Sequence, residues 1–191
     1  MKVLVVDDSA ERGEILRDSL RQAGYEVAAT LASAFDLLAQ VEAVRPDVIV
    51  IDTESPSRDV LEHLCVLSQS SPRPIVMFTR DDAQASIREA VRSGVSAYVV
   101  DGLDPERVKS IVDVAVARFE EFQSLRAQLA EANLRLEERK LVERAKGLLM
   151  KSRGWDEETA YGALRKLAMD RKLRLGQVAQ QLIDSAELLG A

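Results

Sequence analysis

Three carboxylates and a hydroxyl stand directly behind short apolar runs in this chain. Asp7 and Asp8 follow Val3-Leu4-Val5-Val6, Asp52 follows Val48-Ile49-Val50-Ile51, and Thr79 follows Ile75-Val76-Met77-Phe78. Asp101 stands in the same way behind Ala97-Tyr98-Val99-Val100. A single aspartate at such a place is ordinarily the N-cap of the next helix. Convergence is what suggests chemistry: on neighbouring strands, Asp7, Asp8 and Asp52 would form a hard-oxygen site suited to magnesium, which keeps several waters and needs only one or two protein carboxylates.

A second constellation is cationic. Between Arg139 and Arg174 the chain carries 11 Lys and Arg against 5 Asp and Glu, in a protein of formal net charge −6, so the remainder is strongly acidic. Lys140, Arg144, Gly147 and Lys151 recur at intervals of four, three and four, one stripe of a helix, and Lys146 lies within the same stretch. Arg165-Lys166, Arg171-Lys172 and Arg174 extend the charge. Such segregation lets one segment attract a polyanion while the rest repels it. The competing reading is a solvated charged face. Tyr161 suits either base stacking or partly buried packing.

The elements that must position these groups follow from periodicity. Four apolar runs and a weaker one at Val27 to Thr30 are buried-strand candidates. Amphipathic stretches such as Ile15-Leu16-Ser19-Leu20 and Leu37-Leu38-Val41 alternate with them, and turns fall at Gly24, Pro46, Pro72 and Gly94. Five units of this kind predict an α/β doubly wound five-stranded parallel sheet, whose functional crevice lies beyond the carboxyl ends of its strands. Asp104-Pro105 reads as an N-cap followed by proline at the first helical position. No glycine or proline interrupts Glu106 to Lys146, and a helix reaching Gly154 would run about 70 Å at ~1.5 Å per residue. Within it Phe122, Leu125, Leu129, Ala132 and Leu136 repeat as a short heptad seam, which predicts a coiled-coil homodimer unless the stripe packs within its own chain.

Two further helices, opening at Asp156 and near Leu175, complete an expected all-α three-helix bundle with the end of the long one. Its core should combine Leu141, Ala145, Leu148 and Leu149 with Ala160, Leu164, Leu167 and Ala168, and with Val178, Ala179, Leu182 and Ile183. The expected domains are 1–118, a linker helix 119–136, and 137–191. His63 and Cys65 are the only histidine and cysteine, which argues against a His/Cys zinc site, a Ser-His or Cys-His catalytic pair and an internal disulfide. No apolar run approaches a bilayer span and no charged, apolar leader precedes the first strand, so a cytoplasmic protein without membrane attachment is expected.

The stretches VVDDS, VIVIDTESPSRD and IVMFT resemble the receiver domain of bacterial response regulators. The resemblance implies Asp52 as phosphoacceptor, Asp8 and Asp52 as magnesium ligands with help from Asp7, and Thr79 as the switch hydroxyl. Departures are informative. Asp101 stands where receivers place a lysine, Arg80 where they place a small residue, Ser55 where an apolar one is usual and Val60 where glycine is usual. Exchanging the lysine for a carboxylate removes charge stabilisation where phosphoryl transfer needs it. A pseudo-receiver regulated by protein docking is therefore expected.

The run Glu143-Arg144-Ala145-Lys146-Gly147-Leu148-Leu149-Met150, followed by Gly154, Ala160, Leu164, Ala168, Leu175 and Ala179, resembles the ANTAR domain, a three-helix RNA-binding module of transcription antiterminators. With ESPSRD, RPIVMF and GVSAYVVDGL, the whole chain resembles antiterminators of the NasT type. That resemblance implies binding to leader mRNA hairpins and a NasS-like nitrate or nitrite sensor as partner; the charge pattern offers Lys140, Arg144, Lys146, Lys151, Arg165, Lys166, Arg171 and Lys172 as the RNA-binding cations. The alternatives are a DNA-binding helical output domain and a regulator driven by phosphorylation of Asp52; autonomous enzymatic activity has no motif behind it.

Overall fold

The computed structural model describes residues 1–100 and 104–188. Asp101 lies outside the described residues, so the lysine-to-aspartate exchange there has no structural counterpart below. The chain divides into two compact units, 1–123 and 124–191.

Unit 1 alternates strand and helix: β1 (Lys2–Asp7), α1 (Ala10–Gln22), β2 (Glu26–Leu31), α2 (Leu37–Val44), β3 (Val48–Asp52), α3 (Arg58–Ser70), β4 (Ile75–Thr79), α4 (Gln84–Arg92) and β5 (Ala97–Val100), then the start of α5 (Val108–Arg153). The five strands are all parallel, in the order β2-β1-β3-β4-β5. Because side chains alternate across a strand, each central strand feeds two cores. Val3, Val5, Val48, Val50, Val76 and Phe78 pack with Leu16 and Leu20 of α1 and Val108, Val112 and Ala115 of α5. Leu4, Val6, Ile49, Ile51, Ile75 and Met77 face the other way, against Leu37 and Val41 of α2 and Leu61, Leu64 and Leu67 of α3.

Strand order reverses between β1 and β3, and that reversal opens the crevice at their carboxyl ends. Each strand extends a residue beyond its expected apolar run where a functional residue follows, so Asp7, Asp52 and Thr79 are themselves the last residues of β1, β3 and β4. Gly94, at φ +101°, turns the chain from α4 into β5; a Cβ there would lie 2.6 Å from the Ser68 Cβ, so the turn needs both the backbone freedom and the missing side chain.

The long helix begins later than Asp104-Pro105 suggests. Asp104 does cap, its Oδ1 accepting from the Glu106 N–H at 3.1 Å, but residues 105–107 form a turn and regular helix starts at Val108. The helix ends at Arg153, with Gly154 at φ +69°.

Unit 2 contains the later part of α5, α6 (Glu157–Arg171) and α7 (Leu175–Leu188). Asp156 caps α6 by accepting from the Thr159 N–H at 2.8 Å. Glu138 of α5 accepts from the Gly176 N–H at 3.1 Å and so caps α7 from a neighbouring helix; a Cβ on residue 176 would meet the Glu138 Cγ at 2.7 Å. The bundle core joins Val142 and Ala145 with Leu164, Ala168, Val178, Ala179 and Ile183. Val142 is the one core member that the expected stripe lacked. No helix among the described residues is long and apolar enough to cross a membrane.

Candidate functional site: an acidic crevice and a cationic helical unit

Asp7 and Asp52 are direct register partners on β1 and β3, and both are buried. The N–H of Ser9 donates to Asp7 Oδ1 at 2.6 Å. Gly13 of α1 makes room for the same carboxylate, since a Cβ there would come within 2.8 Å of Asp7 Oδ2. Asp8 is exposed and accepts from the Thr53 hydroxyl at 3.0 Å. Among the described residues no three His, Cys, Asp or Glu side chains gather as a metal cluster. A buried carboxylate pair with an exposed third carboxylate next in sequence is nevertheless a hard-oxygen set of the kind magnesium takes, since that ion fills its remaining positions with water.

Thr79 is buried and its hydroxyl is engaged on both sides. It donates to the Glu54 carbonyl at 2.9 Å and accepts from the Asp81 N–H at 3.2 Å. The Arg80 N–H reaches the same Glu54 carbonyl at 3.2 Å. Asp81 is the hub of the neighbouring loop: its carboxylate accepts from Ser55 at 2.9 Å and from the Ala83 N–H at 2.9 Å, while its carbonyl accepts from the Tyr98 hydroxyl at 2.9 Å. The Ala83 N–H, and after it the hydroxyls of Ser86 and Ser55, hold the Asp81 carboxyl below the usual carboxylate range. These bonds lace the loop after β3 to the loop after β4. Arg80 and Glu54 add only an exposed pair at 3.8 Å, which is worth little.

In unit 2 the expected cations fall into two groups. On α5, Lys140 pairs with Glu137 at 2.7 Å and Arg144 with Glu187 of α7 at 2.6 Å. On α6, Arg165 and Lys166 are exposed and have no carboxylate at ion-pair distance among the described residues; Lys151 and Lys172 are exposed in the same condition. Arg171 is exposed and donates to Gln181 at 3.3 Å.

Residues 3–113 match the response regulator receiver domain, and residues 130–183 match the ANTAR domain. The transcriptional regulatory protein PdtaR of Mycobacterium tuberculosis is 30% identical over 184 residues, covering 96% of this chain and 90% of its own. This chain is an ANTAR-type response regulator. The nitrate regulatory protein of Klebsiella oxytoca is 43% identical over 75 residues, which are 39% of this chain and 19% of that one. Among solved structures, the CheY-like response regulator receiver domain protein of Methanospirillum hungatei aligns with a TM-score of 0.55 at 21% identity, covering 63% of this chain and 96% of that one, a likeness of fold.

In this ANTAR-type response regulator Asp7, Asp52 and Thr79 end the adjacent strands β1, β3 and β4, and Asp8 next to Asp7 is exposed. Lys146 departs from expectation. It is only 6% exposed, and its Nζ lies 2.8 Å from Glu143 and 2.6 Å from Glu157 at the start of α6. Both partners raise its pKa, Glu143 foremost. Lys146 thus ties α5 to α6 and is not an RNA-facing cation. Its spacing of four from Val142 and three from Leu149 places it beside the bundle core, but its pairing with Glu157 has no sequence signal. The Ser55–Asp81–Tyr98 lacing had no sequence signal, because it depends on how two loops from different strands approach.

Proposed function

We propose that this ANTAR-type response regulator is a transcription antitermination factor that grips leader mRNA hairpins with its C-terminal helices and is held inactive by a sensor partner docked on its receiver until the signal frees it. The observation that carries the reading is the match of residues 130–183 to ANTAR, falling on helices whose exposed cations stand out from an otherwise acidic chain. RNA with unstacked loop bases suits such a surface, since the deep groove of paired RNA hides its base edges. Phe122, Leu125, Leu129 and Leu136 are more than half exposed on α5 and supply the seam of a homodimer, so two cationic units act on one transcript. The proposed domains are 1–118, the linker helix 119–136, and 137–191.

The receiver works here as a docking module. Thr79, already bonded to Glu54 and Asp81, must break both contacts before it can turn to a phosphoryl group on Asp52. Asp52, Asp7 and Asp8 would hold magnesium, which would supply charge neutralisation for a phosphoryl group; the Ser9 N–H orients Asp7 and the Thr53 hydroxyl orients Asp8. A NasS-like nitrate or nitrite sensor is the proposed partner, supported by the nitrate regulatory relative. The test is competition at about 150 mM salt between a pool of labelled RNA hairpins with randomised loops and duplex DNA, because nonspecific phosphate binding fades steeply with salt. Hairpin preference is expected; duplex preference would turn the reading to a DNA-binding output domain.

A further inference from the structure

We propose that the outward face of α6, centred on Tyr161, is where an unstacked RNA loop base is read. The inference deepens the RNA-binding reading and rests on it. On α6, Tyr161, Arg165 and Met169 follow one another at intervals of four and so line one face. Tyr161 is 43% exposed and Met169 70%, although neighbouring Ala160, Leu164 and Ala168 are buried, so this large apolar and aromatic surface is left outside a core that has room for its own stripe. Tyr161 has no hydrogen bond among the described residues that would assign it a structural role. Its ring offers what a base needs, a π-face, and Met169 beside it is soft and adaptable.

Two more observations point the same way. Arg165 and Lys166 have no carboxylate partner among the described residues, so their charge is available to phosphates at no cost in broken ion pairs. On α5, by contrast, Lys140, Arg144 and Lys146 are engaged by Glu137, Glu187, Glu143 and Glu157, and of the expected α5 cations only Lys151 is without such a partner among the described residues. Gly162 lies beside Tyr161 in mid-helix, where glycine is unfavourable relative to alanine, yet a Cβ there would touch nothing within 4 Å. Packing within the chain does not require it. Its open backbone leaves room for a ligand to come close to α6, as Gly147 does on α5.

The test uses the full chain and the pool of hairpins with randomised loops, from which the wild type enriches its preferred loop. Against that hairpin Tyr161→Ala should weaken binding about ten- to hundredfold with an unchanged salt slope, and Tyr161→Phe should restore most of it. Arg165→Ala with Lys166→Ala should lower the slope of log affinity against log salt by about 1.4. Gly162→Ala should raise resistance to urea and yet weaken binding, opposite signs that a purely structural residue would not give. Equal affinity of wild type and Tyr161→Ala, with circular dichroism unchanged, overturns the α6 site but leaves RNA binding standing. If the wild type enriches no hairpin at all, the RNA reading fails and the α6 site with it.

Discussion

Replacing Leu125 and Leu129 together by glutamate attacks the proposed dimer seam directly. In the single chain these side chains are 53% and 62% exposed, so each has roughly half its surface left to bury. Full burial of a leucine is worth about 1.5–3 kcal/mol, which gives about 1 kcal/mol per leucine here and about 4 kcal/mol for two positions in two chains. With Phe122 and Leu136 included the gross gain is about 8 kcal/mol, comparable to the ~4–15 kcal/mol cost of association, so the seam alone supports a dimer in equilibrium with monomer. Losing about 4 kcal/mol raises the dissociation constant about a thousandfold, before the repulsion of facing carboxylates is added. Sedimentation over a range of concentrations reads this shift, and read-through of a reporter terminator should fall with it. A double variant that sediments as a dimer at the wild-type concentration would refute the seam.

Gly94→Ala should destabilise the receiver by about 2–4 kcal/mol in urea melts, combining strain at φ +101° with the 2.6 Å approach to Ser68. Lys146→Met should lower the melting temperature of the full chain less than Lys146→Ala does, since the methionine keeps the buried stem, and neither change should alter the salt slope of RNA binding. Asp52→Asn should leave induction through the partner intact; complete loss of read-through would restore phosphorylation as the principal switch. The depressed carboxyl of Asp81 contributes stability that is present above the ordinary value of 3.8 and lost as pH falls through its lower folded value. Acid unfolding of Asp81→Asn should therefore show a shallower pH dependence below about pH 4 than the wild type.

Most of the sheet was legible because its central strands β1, β3 and β4 are buried on both faces and read as apolar runs, and because Asp7, Asp52 and Thr79 stand at their carboxyl ends. The bundle core was legible for a similar reason: Ala145, Leu164, Ala168, Val178, Ala179 and Ile183 repeat at helical spacing. What escaped the sequence were contacts between elements. The role of Lys146 depends on the start of α6 bringing Glu157 to its ammonium, and a lysine is by type expected outside. Likewise the commitment of Thr79 comes from Glu54 and Asp81 on two loops, whose meeting no local pattern encodes. The start of α5 slipped by three residues because Asp104 caps a turn with the same bond it would give a helix.

Crosslinking the intact regulator to nucleic acid in inducing cells, and sequencing what is recovered, tests the central claim most directly. Leader transcripts folded into hairpins ahead of a terminator should dominate the recovered sequences, with crosslinks falling in unpaired loops. Recovery of promoter DNA in their place, with no enrichment of leader RNA, would contradict the account.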